Sequence, residues 1–84
     1  MQGREFDELK PRTTVYVMVY TRDGGVKIKE GRVTRVARGD YKYYSDGRAV
    51  IIDHVGYKPE RVWLRRDEAR TAAIRKLLDN IDRL

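Results

Sequence analysis

Eighty-four residues suffice for one small domain, whose core is marginal because short chains bury a smaller fraction of their surface than long ones. The absence of cysteine excludes disulfide staples and thiolate metal sites, and no apolar run approaches the roughly 20 residues of a membrane-spanning helix. The net charge of +6 is concentrated: residues 13–66 hold twelve Lys or Arg against six Asp or Glu, whereas residues 1–12 and 67–84 are each neutral.

Residues 1–12 are charged from the start, without the apolar stretch of a signal peptide, and are expected to form a flexible N-terminal tail on which Phe6 and Leu9 dock weakly or not at all. Together with the lack of cysteine this predicts a cytoplasmic chain with no membrane partner. Thr13–Thr21 alternates Val15, Val17 and Val19 with Tyr16, Met18 and Tyr20, the period of a strand with two rather apolar faces. Arg22-Asp23-Gly24-Gly25 is a hairpin turn. Val26–Val36 reads as a second strand whose alternation breaks after Gly31, which predicts a bulge or sharp bend, as when one strand serves two sides of a barrel. Arg38-Gly39-Asp40 is a turn, Tyr41–Tyr44 a short third strand, and Arg48–Val55 a fourth with an apolar centre. After a loop at Gly56–Glu60, Arg61–Leu64 makes a brief fifth strand.

From about Arg66 the period changes to three and four, through Ala69, Ala73, Ile74, Leu77, Leu78 and Ile81, the spacing of one helix face. Asp67 and Glu68 in its first turn suit the helix dipole. The charged fraction of 38% is high, but six Tyr, one Trp and dense Val and Ile are not the composition of a disordered chain. The expected fold is mainly β with one C-terminal α-helix: a small five-stranded SH3-like barrel over residues 13–65, capped by a helix over 66–84. The far end of that helix is expected to overhang the barrel, which makes Leu77, Ile81 and Leu84 candidate contacts of a homodimer.

Lys58-Pro59-Glu60, then Val62-Trp63-Leu64, then Asp67-Glu68-Ala69 resemble the ending "Lys-Pro-Glu … Val-Phe-Leu-Thr-x-Glu-Glu-Ala" of a loose group of short, mostly uncharacterised proteins from bacteria and their phages or other mobile elements. The likeness runs from Val15 to Leu78. It implies the same barrel and helix and a mobile-element origin, and no activity. The chain departs from the group at Arg65, where the group tends to place Thr as helix N-cap, so the helix start must be capped by another group.

Catalytic chemistry has little to work with. One His, one Ser and no Cys leave no nucleophile–base pair, since His54 and Asp53 are strand neighbours expected to face opposite ways. No ligand spacing supports a metal, and Asp23-Gly24-Gly25 lacks the length and the Lys-Ser/Thr of a phosphate loop. Neither an enzyme nor a cofactor is expected. Binding residues are better represented. Arg35, Arg38, Tyr41, Lys42, Tyr43 and Arg48 interleave cations for phosphates with rings on which bases stack. Alternation sets Tyr41 and Tyr43 on one face and Tyr44 on the other, so one set is expected in the core. Lys27, Lys29 and Arg32 form a second basic row, whose plainer use is to protect a strand edge. Trp63 is expected between barrel and helix.

The combination is similar at the level of fold to small basic chromatin proteins of some archaea, which grip DNA with the sheet of an SH3-like barrel. The expected function is a non-catalytic module that binds DNA or RNA through its basic, tyrosine-bearing face with low sequence specificity. The alternative is a phage or mobile-element module that binds and modulates an acidic host protein.

Overall fold

The computed structural model of the chain describes residues 1–82, and the side chains of residues 1–79. It is mainly β: a short helix α1 (Gly3–Glu8), strands β1 (Thr14–Tyr20), β2 (Val26–Arg32), β3 (Arg35–Arg38), β4 (Arg48–Ile52) and β5 (Val55–Tyr57), a 3-10 turn at Pro59–Arg61, strand β6 (Val62–Trp63) and the helix α2 (Arg66–Asp82). The strands form two antiparallel three-stranded sheets, ordered β2-β1-β6 and β3-β4-β5. The two sheets do not close into a single five-stranded barrel: among the described residues there are six strands, and each sheet keeps its own edges.

The alternation of β1 divides the two layers that cover the first sheet. Val15 and Val17 face inward with Val62 opposite Val17, and they meet Val50 and Ile52 of the second sheet. Tyr16, Met18 and Trp63 share the other face, and α2 lies across it with Ala69 and Ala73 buried. Trp63 thus sits between sheet and helix, half-buried. The turn between β1 and β2 is tied by Asp23, whose carboxylate accepts from the Thr21 hydroxyl and the Gly25 N–H. These two bonds hold the Asp23 carboxyl below its ordinary value, the Thr21 bond most.

The change of sheet expected within the second strand occurs two residues later than Gly31. Gly31 stays in register opposite Val15, and the strand breaks at Val33–Thr34. There the Val33 N–H donates to Thr13 on the first-sheet side and the Thr34 N–H to Ile51 of the second. One peptide step therefore carries the chain between layers, and the buried Val33 enters the core at that corner.

Three other expectations are corrected. Residues 1–12 do not lie apart as a tail: α1 places Phe6, only 1% exposed, and Leu9 in the main core. Residues Tyr41–Tyr44 form no strand but part of a loop between β3 and β4. Arg48–Val55 is not one strand but most of a β4–β5 hairpin, turned at Asp53-His54. Both turn residues have left-handed backbone, φ 49° and 68°, as a two-residue type I′ turn requires. The helix over the C-terminal segment forms as expected, to Asp82. Among the described residues no helix is long and apolar enough to cross a membrane.

Candidate functional site

The second sheet is covered on both faces, and the outer cover is the tyrosine loop. The register pairs Ala37 with Ala49 and Arg35 with Ile51, so these four share the face turned away from the main core. Ala37, Ala49 and Ile51 are buried there beneath Tyr41 and Tyr44. Small alanines leave room for flat rings, which is why four consecutive residues of β4, Ala49–Ile52, are buried.

The loop is held by its own backbone. The Gly39 and Tyr41 N–H groups both donate to the Gly47 carbonyl, at 2.9 and 3.0 Å, and the Gly47 N–H donates to Tyr44. The Tyr44 hydroxyl donates to the Gly56 carbonyl at 2.7 Å, tying the loop to β5. Gly56 itself must be glycine, because the Tyr41 ring occupies the space a Cβ would need.

On this base stands Tyr43, 70% exposed. Its ring meets Tyr41 edge-on at 5.5 Å between centroids, and Tyr41 leans on Tyr44 at 5.1 Å. The Lys42 ammonium lies 5.2 Å from the Tyr43 centroid and the Lys58 ammonium 5.5 Å from that of Tyr44. Arg35 shares the face, bound to Asp40 at 3.0 Å in an exposed ion pair. The result is a cluster of three rings bordered by three cations.

Register splits the six residues expected to act together. Arg35, Tyr41, Lys42 and Tyr43 gather at this surface. Arg38 and Arg48 face each other across β3 and β4 on the opposite, core-side face. There Arg48 stacks on Phe6 at 4.6 Å, and Arg38 Nη2 donates to the carbonyls of Leu9, Asp7 and Phe6 at 2.8, 3.2 and 3.4 Å. These carbonyls end α1, where a helix runs out of N–H donors; Phe6 also accepts from the Leu9 N–H, while Arg38 serves Asp7 and Leu9 as well. Arg38 and Arg48 fasten α1 and do not extend the tyrosine surface.

The second basic row is split in the same way. Lys27 and Lys29 pair with Val19 and Val17 and share their face, whereas Arg32 pairs with Thr14 and lies on the other. All three are exposed on β2, an edge of its sheet, where lysines discourage strand-to-strand association. Lys58 is the member the sequence did not suggest. It lies fourteen residues from Tyr44 in sequence, and the Tyr44–Gly56 bond and the Tyr41 ring against Gly56 bring the two segments together.

A cavity of about 690 Å³ opens elsewhere, between α1, the 3-10 turn and α2. On its wall the carboxylates Glu5, Glu60, Asp67 and Glu68 outnumber the cations Arg4 and the Met1 ammonium, which disfavours phosphate there. Burial lowers the pKa of the Met1 ammonium at its rim, and Glu5, Glu60 and Glu68 oppose that shift. Among the described residues no three His, Cys, Asp or Glu side chains converge as a metal-binding group. His54 is exposed at the hairpin tip and Ser45 in the tyrosine loop. Of the expected dimer contacts, Leu77 is exposed on α2, Ile81 lies in α2 beyond the last described side chain, and Leu84 lies outside the described residues. Comparison with protein-family models, with curated proteins and with solved structures finds no match for this chain.

Proposed function

We propose that the chain is a non-catalytic nucleic-acid-binding module of low sequence specificity, and that the tyrosine loop is its contact surface. The observation that carries this reading is Tyr43, a large ring left open to solvent on a braced aromatic base with a lysine beside it. Aromatic rings bordered by cations stack bases and neutralise phosphates, and neither contact reads sequence. Tyr43 stacks; Lys42, Lys58 and Arg35 meet phosphates, with Arg35 leaving Asp40 for a stronger anion. Tyr41 and Tyr44 brace the loop. In this reading the two sheets are an opened relative of an SH3-like barrel, and the Lys58–Ala69 segment that resembles mobile-element proteins belongs with such an origin.

The test is fluorescence anisotropy with labelled single-stranded DNA, duplex DNA and RNA. Three phosphate contacts predict a loss of about twentyfold in single-strand affinity between about 50 and about 200 mM salt. Tyr43→Ala is expected to weaken binding about tenfold or more, and Tyr43→Trp to retain it. Salt-sensitive binding indifferent to Tyr43 would reduce the surface to a general attraction for polyanions. No binding even at the lowest salt would end this reading in favour of an acidic host protein as partner, sought by pull-down.

A further inference from the structure

Strand β2 leaves one edge of the first sheet open. The Thr21 N–H donates to Gly25 at one end of the β1–β2 pairing and the Val33 N–H to Thr13 at the other, and the register between them is unbroken. Backbone groups alternate in direction along an antiparallel strand, so Lys27, Lys29 and Gly31 bond to β1. The N–H and C=O groups of Val26, Ile28, Glu30 and Arg32 therefore point away from it. Among the described residues no neighbouring strand, turn or loop takes them up. At seven residues this is the longest of the open strand edges; β6, β5 and β3 offer two, three and four.

We propose that this edge takes up an extended, acidic segment of a partner protein as a further strand. Its backbone sets the class of occupant. Outward N–H and C=O groups recur about every 6.8 Å along it, and a second peptide strand meets both kinds. The phosphates of a nucleic acid only accept, and leave the carbonyls without a donor. Charge sets the side chains. Lys27 and Lys29 are exposed on one face of β2, so the residues opposite them are Asp or Glu. On the other face Val26 and Ile28 are half-buried, so the residues opposite those two are apolar. Glu30 and Arg32, next along that face, offset each other in charge. The same lysines turn away a second copy of this chain, because two β2 edges paired antiparallel over their full length set Lys29 against Lys29. The added strand uses no residue of the tyrosine surface and stands independently of the nucleic-acid reading.

Amide hydrogen exchange read by NMR on the full chain tests it, with a capped peptide of about eight residues alternating Glu and Val, added to about 1 mM. The Ile28 and Glu30 amides are expected to exchange about tenfold more slowly with the peptide present, while those of Lys27 and Lys29 are already held by β1. Lys27→Glu combined with Lys29→Glu, two exposed positions, should weaken binding about tenfold or more, and a peptide alternating Lys and Val should not bind the native chain. Two further peptides, N-methylated at every Val or at every Glu, separate a strand from plain charge attraction. A ladder uses only one alternate set of amides, so one of these peptides is expected to bind and the other to fail. Unchanged exchange at Ile28 and Glu30, equal binding of the acidic and basic peptides, or two N-methylated peptides that behave alike would each overturn the proposal. The same protection produced by single-stranded DNA would overturn it as well and assign the edge to nucleic acid.

Discussion

Arg38 and Lys42 stand four residues apart in one basic segment and do different work. Arg38 holds three carbonyls at the end of α1 through a single nitrogen, while Lys42 stays in solvent beside Tyr43. Bonds from a charged donor are stronger than neutral ones, and removing the donor takes it from the Asp7 and Leu9 carbonyls, while Phe6 keeps the Leu9 N–H. Arg38→Ala is therefore expected to lower the unfolding free energy by about 1–3 kcal/mol in a urea titration. Its effect on nucleic-acid affinity, measured where the variant is fully folded, should be smaller than that of Lys42→Ala. The reverse ranking would mean that Arg38, not the tyrosine loop, carries the binding.

At the scale of elements, the β4–β5 hairpin explains why one apolar run contains two strands. A type I′ turn needs left-handed backbone at both central positions, and glycine is the usual sign of it. Here Asp53 and His54 adopt it, so no glycine in the run Arg48–Val55 marks the reversal. Left-handed backbone costs a residue with a Cβ about 1–2 kcal/mol, part of which glycine returns through its greater freedom in the unfolded chain. His54→Gly is thus expected to raise stability by roughly 0.5–1 kcal/mol in thermal unfolding. A loss of stability would show that the His54 side chain makes a contact worth more than the strain. The Tyr41–Tyr44 segment misleads for a related reason. Its residue types favour strands, yet the Tyr41 and Tyr44 rings are drawn down onto Ala37, Ala49 and Ile51, and burial there outweighs local preference.

For the whole molecule, α1 is a structural part and not an appendage. Phe6 lies inside the core that both sheets share, with Arg48 and Arg38 over its ring. Truncating a buried Phe to Ala costs about 3–5 kcal/mol, a large share of the roughly 5–15 kcal/mol that holds a domain together. Phe6→Ala is expected to lower the thermal midpoint sharply or to leave no cooperative transition; a near-native midpoint would return residues 1–12 to the status of a tail. Charge is distributed on the same scale. The tyrosine surface is bordered by cations, while carboxylates predominate on the wall of the cavity beside α1 and α2.

Local periodicity was enough to place β1, the course of the chain through the first hairpin, the change of sheet after Gly31 and the helix from Arg66, because alternation at two or at three and four is visible within one segment. The gathering of Tyr41, Lys42 and Tyr43 near Arg35 was legible too, since the loop that holds them is short. What pairs distant segments was not. The packing of Phe6, the diversion of Arg38 and Arg48 to α1, and the meeting of Lys58 with Tyr44 depend on contacts 12 or more residues apart. The division of α2 into an alanine face and an Ile–Leu face likewise exists only once the sheet has taken one side. A sequence pattern states which residues share a face; packing against a particular neighbour decides which face is buried and which stays exposed.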